Sequence, residues 1–182
     1  MSTESVVADG FCTLVGSSRE VLISEAASTQ SVAISGCLGS ARRPLDSKRL
    51  PKIRFPYIDS DVLERLVEWC EQHRDDPAPE PEPETDLGWQ KEEGHVEPAR
   101  IRLGEVLVAK WDRAFLRRNV RFLFRMCEAA HSLGVPLLRD ITAKKCFEKR
   151  GKVPNAVRHL YDFGDEEEEK KKDEDEEEKE TS

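Results

Sequence analysis

Residues 77–84 read PAPEPEPE. Alternate prolines remove backbone amide donors, and the glutamates between them repel one another. Neither a helix nor a sheet can use such a stretch, so it forms an extended, exposed spacer. No sustained apolar pattern follows it until about Arg100. The fold must therefore be assembled from one block ahead of the spacer and one behind it.

The block ahead is mixed. Phe11 to Val15 (FCTLV) and Arg19 to Ile23 (REVLI) are β-prone runs separated by Gly16, Ser17 and Ser18, which predicts a β-hairpin. A short helix is expected from about Thr29 to Leu38, ending at Gly39, followed by a basic loop to Lys48. Residues 50–55 (LPKIRF) alternate in the strand sense, and Pro51 argues for a sheet edge. The clearest helix comes next. Asp61 and Glu64 have capping-box spacing, and Val62, Leu63, Leu66, Val67, Trp69 and Cys70 form a wide apolar stripe that gives out near Arg74.

Behind the spacer, residues 101–108 (IRLGEVLV) suit either a short strand or a turn of helix. A single helix is expected from about Asp112 to Leu133. Phe115, Leu116, Val120, Leu123, Phe124, Cys127 and Ala130 lie on its apolar side, and Arg117, Arg118, Arg121 and Arg125 on a solvated face. Gly134 is placed to end it in the left-handed conformation. Val135-Pro136 then opens a helix closed by Gly151, and Val153-Pro154 a third, short one to about Tyr161.

Residues 165–182 hold 12 acidic and 4 basic side chains, a net charge of −8. The whole chain is also −8, so residues 1–164 are neutral in sum. Such a tail cannot bury enough apolar surface to offset ordering entropy, and it is expected to be disordered and solubilising. No Lys/Arg stripe is visible in the body, so neither a nucleic-acid nor a membrane partner is expected. Residues 1–10 have no signal-like pattern and no apolar run reaches membrane-spanning length, which predicts an intracellular, cytoplasmic or nuclear protein.

The five cysteines are widely spaced without a Cys-x-x-Cys pair, as in a chain with reduced, mostly buried thiols. Cys127 with His131, and Cys70 with His73, have ligand-like spacing. No second cluster accompanies either, so they read as buried or rim side chains rather than metal ligands. Trp69 and Trp111 are expected in the core, while Trp89 has no assigned role. No nucleophile elbow, phosphate loop or dinucleotide fingerprint is present, and the four histidines are scattered. No catalytic residue and no cofactor is expected.

Several strings, in order, resemble the Skp-type adaptors of SCF ubiquitin ligases, the S-phase kinase-associated protein 1 family. They are FPYIDSDVLERLVEWCEQHRDDP (55–77), WDRAFL (111–116), LFRMCEAAHSLGVPLLRD (123–140) and GKVPNAVRHLYDF (151–163). The resemblance implies an α/β (α+β) fold, a BTB/POZ domain with C-terminal F-box-binding helices. Residues 1–74 would form the N-terminal half of the BTB/POZ domain, 75–110 an acidic Pro-rich linker, and 111–133 the remaining BTB/POZ helix. Residues 134–164 would be partner-binding helices and 165–182 the acidic tail. It further implies a non-catalytic adaptor with an F-box protein and a cullin as partners, or a structural subunit that keeps only the F-box-like grip. An Elongin C-like adaptor fits less well, because that family ends soon after its BTB fold.

The F-box groove maps by resemblance onto Val135, Leu137, Leu138, Ile141, Val157, Leu160 and Phe163. The cullin face maps onto Ala129, Ala130, His131, Ser132 and Leu133. Pro154 matches a proline that is modified in some protist members, although a helix-opening proline accounts for it equally. Two departures stand out. His131-Ser132 replaces the family's Asn-Tyr, which removes an aromatic anchor. The acidic run also stands where the family has a further, tryptophan-bearing helix.

Overall fold

The computed structural model describes residues 10–40, 52–80 and 100–163. Leu50, Pro51, most of the Glu-Pro spacer, Trp89, His95 and the acidic segment 165–182 lie outside the described residues. The fold is mixed α/β, with several helices and two small sheets.

The hairpin forms as the two β-prone runs predict. Strand β1 (Phe11–Val15) pairs antiparallel with β2 (Glu20–Ser24), and β3 (Lys52–Arg54) joins the other side of β1 in parallel. The order is β2-β1-β3, so the strand after Pro51 does take an edge. Cys12, Leu14 and Ile23 point into the core, whereas Phe11 and Leu22 stand on the outer face. A parallel pair needs a crossover. Here it includes α1 (Glu25–Ser28) and α2 (Val32–Ser40), two short helices in place of the single one expected from about Thr29. Ser24 caps α1 by accepting from the Ala27 amide at 3.1 Å, which starts the helix early. The Ser31 hydroxyl then donates to the Leu133 carbonyl at 2.5 Å, and this long-range bond holds the break between α1 and α2.

Helix α3 (Ser60–Gln72) buries its whole predicted stripe, from Val62 to Cys70. The capping box does not form. Asp59 is the N-cap residue and its own side chain makes no capping bond. Asp61 Oδ1 accepts from the Val62 amide at 2.9 Å and also shares Arg125 with Asp59, while Glu64 pairs with Arg19 at 2.8 Å. The opposite charge on the hairpin has drawn Glu64 away from the helix end. The hairpin turn is clamped onto this end. Ser60 Oγ, in a buried residue, accepts from the amides of Ser18 and Arg19 at 3.0 and 2.9 Å.

After the spacer, both readings of residues 101–108 prove partly true. Strand β4 (Ile101–Arg102) is followed at once by a 3₁₀ turn (Leu103–Glu105). The expected helix from Asp112 to Leu133 is broken. Helix α4 (Lys110–Phe115) ends at Leu116, and α5 (Val120–Ser132) starts anew under Asn119, whose side chain accepts from the Phe122 amide at 2.8 Å. An asparagine cap offers the free amides of a helix start a partner that helix-period counting ignores. The four arginines consequently do not share one helix face.

Helix α6 (Pro136–Arg150) begins at Pro136 and ends at Gly151, at φ 63°, as predicted. Helix α7 (Asn155–Arg158) is shorter than expected, with Pro154 as its N-cap residue rather than inside the first turn. Tyr161 belongs instead to strand β5 (Tyr161–Asp162), which pairs in parallel with β4. The main core lies between the first sheet, α3, α5 and the inner face of α6. A second cluster, including Leu103, Cys127, Ala143, Val157 and Tyr161, seals α7 and the β4–β5 pair against α5 and α6. No helix among the described residues is long and apolar enough to cross a membrane.

Candidate functional site

The corner between α5 and α6 organises the surface to which sequence points. Gly134 adopts φ 61°, the Val135 amide reaches back to the Ala130 carbonyl at 2.8 Å, and the Gly134 amide to His131 at 3.1 Å. This pair of bonds is a Schellman turn, which reverses the chain while satisfying the last carbonyls of α5. The start of α2 completes it. The Val32 amide donates to Gly134 at 3.0 Å and the Ala33 amide to Leu133 at 3.2 Å.

Of the five positions mapped at the end of α5, Ala129, Ala130 and Leu133 are buried. Ser132 is exposed and His131 half-buried, its ring 6.4 Å from that of His159 in an edge contact. Ala129 and Ser132 share a cavity of about 360 Å³ with Tyr57, Asp59, Arg125 and Glu128. Tyr57 is 68% exposed at its rim. One wall is therefore the turn ahead of α3, and the other the second half of α5. Arg125 ties the walls together through Asp59 and Asp61, and those bonds, Asp59 foremost, hold its guanidinium above its ordinary pKa.

Of the seven positions mapped on the final helices, Val135, Leu138, Ile141 and Val157 are core residues. Leu137 is 47% exposed, and Leu160 and Phe163 are half-buried. Periodicity already carries this division. Leu138, Ile141, Thr142 and Cys146 follow the buried side of α6, and Leu137 falls off it. The Phe163 ring lies 5.3 Å from that of Phe147, and Pro154 is buried at the start of α7.

Two polar clusters escape sequence reasoning because their members are far apart in the chain. Asp112, only 3% exposed, accepts from the Trp69 indole at 2.9 Å and lies 3.2 Å from His73 Nε2. The His73 ring stacks on Trp69 at 4.1 Å. Trp69 is thus core, as expected, whereas Trp111 is exposed and stacks on Phe115. The string WDRAFL matters structurally for its aspartate more than for its tryptophan. In the second cluster Arg139, 2% exposed, bonds Asp140 at 2.8 Å, and Asp140 accepts from the Tyr161 hydroxyl at 2.8 Å. Burial, with Asp140 second, pushes the Tyr161 hydroxyl upward in pKa.

Four of the five thiols are buried, and Cys37 is exposed. Burial pushes Cys70 and Cys146 up to about 12 and also raises Cys127 and Cys12. Among the described residues, no three His, Cys, Asp or Glu side chains converge as metal ligands would.

The chain resembles curated proteins over 120 residues. It is 30% identical to "Suppressor of kinetochore protein 1" of Schizosaccharomyces pombe, over 63% of this chain and 66% of that protein. It is 27% identical to "E3 ubiquitin ligase complex SCF subunit sconC" of Talaromyces marneffei, over 63% and 66%. It is 29% identical to "SCF ubiquitin ligase complex protein SKP1a" of Dictyostelium discoideum, over 63% and 65%. These matches support a Skp1-like superfamily assignment. The matched region spans just under two thirds of each of these relatives. No family model matches the chain.

Proposed function

We propose that this chain is a non-catalytic Skp-type adaptor, with a BTB/POZ-like core and partner-binding helices, that bridges an F-box protein to a cullin in an SCF ubiquitin ligase. The observation that carries the reading is the 120-residue similarity to SCF subunits. The bridging mechanism raises the local concentration of one partner at the other.

The F-box partner would meet Leu137, Leu160 and Phe163. Val135, Leu138, Ile141 and Val157 would support them from beneath, as their burial suggests. The cullin would meet the end of α5 and the adjoining cavity. Ser132 offers no aromatic there, but exposed Tyr57 at the rim of the same cavity supplies a replacement anchor. Binding of the purified chain to F-box and cullin N-terminal fragments tests this. Absence of F-box binding at micromolar concentration refutes the adaptor reading. Loss of cullin binding on Tyr57→Ala, by tenfold or more, is the expected outcome for the anchor.

His131-Ser132 favours a second reading, a structural subunit that holds an F-box-like partner without a ligase. On that reading the native chain binds no cullin, and His131→Asn with Ser132→Tyr creates the binding.

A further inference from the structure

The cavity beside the end of α5 has a lining that selects among partner side chains. Tyr57 stands at its rim, 68% exposed, and Ile58 and Val62 give it an apolar side. On the α5 wall, Ala129 and Ser132 are small and leave the space open. Its volume of about 360 Å³ lies at the lower end of the range for small-ligand pockets, room for one long side chain. The charged members of the lining are Asp59, Arg125 and Glu128.

Those charges do not balance. The guanidinium of Arg125 is shared between Asp59 and Asp61, the second at 3.1 Å. Two carboxylates on one guanidinium leave an excess of one negative charge. Glu128, almost one turn further along α5, is exposed, makes no ion pair among the described residues, and adds a second. An acidic side chain entering here meets repulsion, and an apolar one leaves Glu128 unmatched. A guanidinium satisfies both walls. It carries the opposite charge, its forked N–H groups match a carboxylate, and its flat face stacks on an aromatic ring such as that of Tyr57. An ammonium supplies the charge but neither the fork nor the face.

We propose that this cavity accepts an arginine side chain of a partner protein, with Glu128 as its charge partner and Tyr57 as the ring it lies against. The inference rests on the adaptor reading for the identity of that partner alone. The preference for a guanidinium belongs to the chain by itself, so it is tested first without a partner. The isotope-labelled full chain is titrated with N-acetyl-arginine amide and followed by NMR. Saturable shifts are expected at the amides of Tyr57, Glu128 and Ser132. N-acetyl-citrulline amide, which keeps the shape and loses the charge, should bind about tenfold more weakly. Glu128→Gln lies at an exposed position without an ion pair, so it should fold normally and weaken the arginine probe about fivefold. Absence of saturable shifts, equal binding of citrulline, or unchanged affinity in Glu128→Gln would each overturn the proposal. A cullin N-terminal fragment then separates the two readings. If the arginine probe binds and the fragment does not, the adaptor reading fails and the acceptor cavity stands. If the fragment binds the native chain and Glu128→Arg equally well, the cavity is overturned as a partner site and the adaptor reading stands.

Discussion

Gly134 and Asp112 show how much a single position can hold. At φ 61°, any other residue at 134 carries left-handed strain of about 1–2 kcal/mol. A Cβ there would also stand 2.9 Å from Val32 Cβ. Gly134→Ala is therefore expected to lower unfolding free energy in urea by about 2 kcal/mol or more, strain and clash together. Gly104→Ala, with open space around its Cβ, should be nearly neutral in the same assay. Asp112→Ala strands the buried Trp69 indole donor and should cost about 1–3 kcal/mol. Asp112→Asn keeps an acceptor oxygen and should cost less, which separates the lost hydrogen bond from lost volume.

At the scale of elements, the breaks matter more than the helices. Asn119 restarts the chain after α4, and the break leaves the Arg118 carbonyl free to accept from Lys149 of α6. Asn119→Ala removes the cap and should destabilise by about 1 kcal/mol. The α3–α5 connection through Arg125 differs in kind. Its ion pairs are partly exposed, so Arg125→Ala should change stability by at most about 1 kcal/mol. Any larger effect of that substitution belongs to partner binding at the cavity beside Tyr57.

For the whole molecule, burial of thiols sets a pH limit. Desolvation raises Cys70 and Cys146 from 9.0 to about 12. Below about pH 9 both folded and unfolded chains keep these protons. Above it the unfolded chain releases them and the folded chain does not. Stability is therefore full below about pH 9 and falls as pH rises towards 12, by about 1.4 kcal/mol per pH unit for each thiol. Urea titrations at pH 8, 9 and 10 should show that slope, and Cys70→Ala with Cys146→Ala should reduce it, leaving the part due to Cys127 and Cys12. At pH 8 the native chain should expose Cys37 to a thiol reagent well ahead of the four buried cysteines.

What could be read from the chain was whatever depends on near neighbours. The hairpin runs, the stripe of α3 and the Gly134 and Gly151 stops all follow from local backbone chemistry, and each stands in the described structure. The resemblance to Skp-type adaptors rests on the same kind of local string. Contacts between residues far apart in sequence could not be read in this way. The Asp112 bond to Trp69 crosses 43 positions, and the bond from Ser31 to Leu133 crosses 102. Such contacts took Glu64 of the expected capping box to Arg19 and tied Asp61 to Arg125. They also brought the end of α6 onto the α4–α5 turn, through the Lys149 bond to the Arg118 carbonyl. Local energies of a kcal/mol or so set helix starts and stops, but which side chains meet across the spacer is decided by how the two blocks bury their apolar faces against each other.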